Sequence, residues 1–97
     1  MSDTAAALIV QAGTRWAQAV VAWVQVEELE RITGAEQPDF AAIARRASDE
    51  AEETIAAALD AGAMVAALLL RGIPAQAIAA AMSRQKKNRT QDGTPAT

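Results

Sequence analysis

The sequence predicts an all-α protein: a small bundle of about four helices, with one long N-terminal helix and a disordered basic C-terminal tail. Three observations carry this. Alanine is by far the commonest residue in a chain that is 52% apolar, and alanine has the highest helix propensity and no side-chain entropy to lose. Apolar residues recur at spacings of three and four, without the strict alternation of strands. Glycine and proline fall in short clusters that cut the chain into helix-sized segments.

The first helix is expected at about residues 5–32, capped by Asp3 or Thr4 and stopped by Gly34. At 100° per residue, Trp16 and Trp23 fall about 20° apart, with Val20 between them and Ile9 extending the same stripe. That stripe is expected to be buried. Val10, Val21 and Val24 form an apolar flank, and Gln11, Gln18 and Gln25 form a row roughly opposite the tryptophans. So wide an apolar arc belongs to a helix that is central in its own fold or packed on another copy. Ile9, Val10, Trp16, Val20, Val21, Trp23 and Val24 are therefore the expected interface with an oligomeric or helical partner.

Gly34 to Asp39 is a short connection, with Pro38 placed for the first turn of a second helix that runs to about Ala61. Phe40, Ile43, Ala47, Ala51, Ile55 and Leu59 give that helix a narrow apolar stripe, and Arg45, Arg46, Asp49, Glu50, Glu52 and Glu53 its outer face. A connection this short favours an antiparallel pair with the first helix. Gly62 breaks or kinks the chain before Met64, Val65, Leu68, Leu69 and Leu70. Gly72 is a clearer stop, and Ile73-Pro74 turns into a fourth helix starting near Ala75, with Ile78 and Met82 as its apolar face. Residues 1–82 then form one helical domain, and 83–97 a flexible tail in which Gly93 and Pro95 oppose regular structure.

Charge divides at the same place. Residues 1–82 hold five Arg and no Lys against eleven Asp or Glu, and residues 83–97 hold Arg84, Lys86, Lys87 and Arg89 against Asp92 alone. The acidic body repels polyanions, whereas the tail suits phosphate contacts. Arg84, Gln85, Lys86, Lys87, Asn88 and Arg89 are the expected nucleic-acid-binding residues, with Asn and Gln able to contact bases.

The run Leu69 to Gln85 resembles helix-turn-helix DNA-binding proteins of bacterial regulators, with Ile78-Ala79 and Ser83-Arg84-Gln85 in the places of the second helix and the start of the third. The resemblance covers under a quarter of the chain. It implies a third helix that enters the major groove. A frame in which Gly72 is the turn glycine makes Ala75 to Met82 the reading helix instead.

Catalysis is not expected. The chain has no His, Cys or Tyr, which removes the usual general bases, thiol nucleophiles and imidazole or thiolate metal ligands. No phosphate-binding glycine loop is present either. The group Asp49, Glu50, Glu52 and Glu53 reads as a solvated helix face beside Arg45 and Arg46, so no metal, cofactor or small-molecule substrate is expected. The apolar run from Ala5 to Val26 is interrupted by Arg15 and three Gln, and no basic segment precedes it. A cytoplasmic protein that meets no membrane is the expectation. Its function is expected to be that of a dimeric DNA-binding accessory or regulatory protein, or else of a helical protein–protein interaction module with no nucleic-acid role.

Overall fold

The structure, a computed structural model, describes residues 2–92, with side chains as far as residue 87. The described residues form four helices and no strand: α1 (Asp3–Thr33), α2 (Pro38–Asp60), α3 (Val65–Leu70) and α4 (Ala75–Asp92). None of them is long and apolar enough to cross a membrane.

The cap of α1 is Ser2 rather than Asp3 or Thr4. Its backbone is extended, and its hydroxyl accepts the Ala5 N–H at 3.1 Å, which leaves Asp3 inside the first turn, where a carboxylate complements the helix dipole. At the other end Gly34 takes the left-handed conformation and donates its N–H to the Glu30 carbonyl at 2.9 Å. In the last turn the Arg31 guanidinium holds the Glu28 carboxyl below the usual carboxylate range. This exposed contact is made at neutral pH and is lost as acid protonates Glu28.

Helices α1 and α2 form an antiparallel hairpin. Arg15 meets Glu50 at 3.2 Å and Trp23 meets Ser48 at 2.8 Å, so advancing along one helix retreats along the other. The seam between them is made of alanine. Ala5, Ala12 and Ala19 recur every seven residues on α1, and Ala44, Ala51 and Ala58 do the same on α2, all buried. Side chains this small let helix backbones approach closely, and the seven-residue repeat keeps them facing each other. The seam also sets which face of α2 is buried. Ala51 and Ile55 are buried as expected, but Ile43 is 62% and Phe40 51% exposed. Each stands one residue, or about 100°, away from Ala44 or Ala41, which hold the inward positions.

Two identical stops end α2 and α3. The Gly62 N–H bonds to the Leu59 carbonyl and the Ala63 N–H to that of Ala58; ten residues on, Gly72 bonds to Leu69 and Ile73 to Leu68. Each is a Schellman motif, which requires a left-handed residue after the cap, and Gly62 and Gly72 have φ of 99° and 86°. The second motif brings its usual apolar contact: Leu68 and Ile73 are both buried in the core.

The core lies at one end of the hairpin, where Ile9 and Ala12 of α1, Ile55 and Ala58 of α2, Leu68, Ile73, and Ile78 and Ala81 of α4 meet. Met82 is half exposed instead of joining Ile78, because Ala81 takes the inward place. Helix α4 runs on past Met82 and Ser83 to Asp92, so Arg84 and Gln85 lie within a helix. The rest of the expected tail, 93–97, lies outside the described residues. The molecule measures 48 × 37 × 18 Å with a radius of gyration of 15.6 Å, against about 13 Å for a compact chain of this length. It is a flat slab one to two helices thick.

Candidate functional site

The seven residues expected to form one interface sit on two sides of α1. Ile9 belongs to the core, and Trp16 and Trp23 lie half-buried on the α2 side. The Trp23 indole N–H donates to the Ser48 hydroxyl at 2.8 Å, which satisfies its one polar atom within the chain. Val10, Val20, Val21 and Val24 are exposed, the last two by 55% and 57%. Val20 does not complete a buried stripe with the tryptophans, because the seam steps from Trp16 through Ala19 to Trp23 and leaves Val20 on its margin.

The exposed side has its own period. Val10, Thr14, Ala17, Val21 and Val24 are spaced by four and three and lie on the opposite side of α1 from Ala12, Ala19 and Val26. Apolar residues on both faces explain why this helix is apolar without being amphipathic. Gln11, Gln18 and Gln25 are all exposed along the edge of the same row, and Thr14, Ala17, Gln18, Val21, Ala22 and Gln25 line a shallow hollow there. Arg15 is the one charged residue between Thr4 and Val26, and it turns to Glu50 on α2. At the N-terminal end the surface continues into a groove lined by Ala6, Val10, Leu70 and Arg71. Leu70, on the six-residue α3, is 88% exposed.

One of the basic residues has been drawn into the fold. Arg84 lies against the acidic face of α2, with Glu52 at 2.9 Å, Glu53 at 3.4 Å and Asp49 at 3.7 Å. The Gln85 amide donates to the Asp60 carboxylate. Lys86 and Lys87 are exposed on α4, and the side chains of Asn88 and Arg89 lie outside the described residues. Carboxylates occupied by a guanidinium are poor ligands for a cation, and among the described residues no acidic group is arranged to hold a metal. Arg84 and Glu52 are half-buried and Asp49 and Glu53 exposed, and pairs this close to solvent contribute about 0–1 kcal/mol each.

The helix-turn-helix-like segment folds as α3, a Gly72-Ile73-Pro74 turn and α4. Ser83, Arg84 and Gln85 stand within α4 and begin no separate helix, since Met82-Ser83 offers neither glycine nor proline and Arg84 fixes that turn on α2. Beside Trp16, a cleft of about 250 Å³ is bordered by Ser48, Glu52 and Gln76; this is below the usual 300–1,000 Å³ of ligand pockets, and its one carboxylate is held by Arg84.

Two features escaped the sequence reading although their signals were present. The alanine heptads are visible as such, and the acidic row of Asp49, Glu52 and Glu53 is a ready complement for a single arginine on another helix. No family model, characterised protein or solved structure matches this chain.

Proposed function

We propose that this chain is a small non-enzymatic protein that works by association, binding another apolar helical surface with the outer face of α1. The observation that carries the reading is the row Val10, Val21 and Val24, exposed on the side of a 31-residue helix that faces away from α2. Scattered exposed apolar residues need no explanation, but a contiguous, nearly charge-free row on one helix is the usual form of a helix-in-groove or helix-pairing surface. A photo-crosslinking amino acid in place of Val24 is expected to give covalent protein adducts in the cells that make this protein. The same group in place of Ala42, exposed on α2, should give none. Absence of adducts from the Val24 position would remove the proposal.

A nucleic-acid-binding accessory or regulatory role is the second reading. It is favoured by the position of Lys86 and Lys87, which lie at the surface of α4 just beyond Arg84. With Arg84 and Gln85 engaged on α2, this reading rests on fewer phosphate contacts than the full basic cluster would make. Its expected result is a mobility shift of duplex DNA at low salt that weakens steeply as salt rises and is lost on joint Lys86→Glu and Lys87→Glu substitution. No shift of the wild-type chain at low salt would end it. Substitution is a cleaner probe than truncation after Met82, which would also remove the Arg84 contacts.

A further inference from the structure

The chain leaves too much of itself in water for its size. A compact monomer of 10.1 kDa exposes about 5,300 Å² by the general scaling of accessible area with mass, and this one exposes 6465 Å². Part of that exposed area lies on α1, which is covered along one side by α2 while the opposite valine row stays exposed.

We infer that the occupant of this row is a second copy of the chain, whose α1 packs antiparallel on the first about a two-fold axis near Gln18. The inference rests on the reading of the outer face as an interaction surface and names its partner. Three features of the face argue for its own copy in this orientation. The first is charge. The row itself has no charge, although the groove at its N-terminal end is lined by Arg71 as well as Leu70, and α1 ends in Glu27, Glu28, Glu30 and Arg31, a net negative turn at the negative pole of the helix dipole. Parallel pairing would set two such ends together. Antiparallel pairing sets each beside the partner's N-terminal turn, where the positive end of the dipole and the Arg71 of the adjoining groove outweigh the single Asp3 carboxylate.

The second feature is the glutamine row, which is symmetric about its middle member. An antiparallel pair centred there places Gln18 opposite the partner's Gln18, and Gln11 opposite the partner's Gln25. A primary amide both donates and accepts, so glutamine pairs with glutamine without a second residue type. The third is the remaining apolar exposure. Ile32 is 65% exposed at one end of α1, and Leu70 borders a groove at the other. The same register carries Ile32 over the partner's Ala6 groove, beside the partner's Leu70. Each contact then occurs twice and the interface closes on itself, as an isologous dimer requires.

The chain contains no cysteine, so single introduced cysteines report pairing in the full-length protein directly. Under mild oxidation Gln18→Cys is expected to form a disulfide-linked dimer and Gln11→Cys alone is not, while an equal mixture of Gln11→Cys and Gln25→Cys chains links one to the other. In sedimentation at micromolar concentration the wild type is expected at twice the chain mass. Val21→Glu, which places a charge on an exposed position, is expected at the chain mass with its helical circular dichroism retained. If that variant fails to fold, the cysteine pattern carries the test by itself. A monomeric wild type would overturn the second copy as occupant, and adducts of another mass from the Val24 crosslinker would then keep the wider interaction reading alive. Self-linking by Gln11→Cys in place of Gln18→Cys would overturn the antiparallel arrangement.

Discussion

Replacing Ile55 by alanine is expected to lower the unfolding free energy by about 2–5 kcal/mol. Ile55 is one of four large side chains, with Leu68, Ile73 and Ile78, that are fully buried among the described residues. It belongs to the cluster that joins Ile9 and Ala12 of α1 to Leu68, Ile73 and Ile78, so its loss opens a void within that cluster. Most of the other core positions are alanines, which cannot shift to fill the space, and the cost then includes the cavity as well as the lost transfer of the side chain. For a domain whose total stability is on the order of 5–10 kcal/mol, that is a large share. Trp16 packs against the same cluster, so its fluorescence reports the transition in urea. The wild type and variant must be compared at one protein concentration, because association with a second copy adds to the apparent stability. A change below about 1 kcal/mol would mean that the core at this end of the hairpin is not the principal one.

The helices and their ends were legible in the sequence for local reasons. Alanine content decides the secondary structure, and Gly34, Gly62 and Gly72 stop helices through hydrogen bonds made within a few residues of each. The packing was less legible because it inverts the usual weighting of side chains. Reading for bulk selects Phe40 and Ile43 on α2 and joins Val20 to the tryptophans on α1; the fold instead buries Ala44, Ala51, Ala12 and Ala19 and leaves those larger residues outside. A seam of small side chains gains its energy from close approach of two backbones, which no single residue announces.

The candidate site shows the same division. That Val10, Val21 and Val24 exceed what the chain can cover was readable from the width of the apolar arc, and the structure leaves them exposed. That Ile9, Trp16 and Trp23 lie on the other side of α1 depends on where α2 lands, which the alanine heptads decide. The fate of Arg84 was hidden by distance along the chain. Its partners Asp49, Glu52 and Glu53 lie more than thirty residues earlier, and a basic segment read by composition alone has no reason to be docked. Continuation of α4 past Met82 and capture of Arg84 by α2 are one event, since about half a further turn of helix carries the guanidinium onto the acidic row.

If the alanine seam governs the fold, enlarging one of its members must be far more harmful than enlarging an alanine elsewhere on the same helix. Ala51→Leu is expected to destabilise by about 1–3 kcal/mol, whereas Ala42→Leu should stay within about 0.5 kcal/mol. The two substitutions are chemically identical and both lie within α2, and leucine is nearly as good a helix former as alanine, so propensity cannot separate them. What differs is place: Ala51 is fully buried against α1 and Ala42 is exposed. Three added carbons at position 51 meet the α1 backbone and must drive the helices apart. That separation also stretches the Trp23 to Ser48 hydrogen bond on one side and the Arg15 to Glu50 ion pair on the other. Thermal unfolding followed by circular dichroism gives the comparison directly, since each kcal/mol shifts the midpoint of a domain this size by about 4–8 °C. The indole of Trp23 supplies a second readout, a fluorescence change toward greater exposure in the Ala51 variant only. Equal midpoints for the two variants would show that close backbone approach along Ala44, Ala51 and Ala58 is not what holds α1 and α2 together, and the placement of the valine row on the outside would lose its cause.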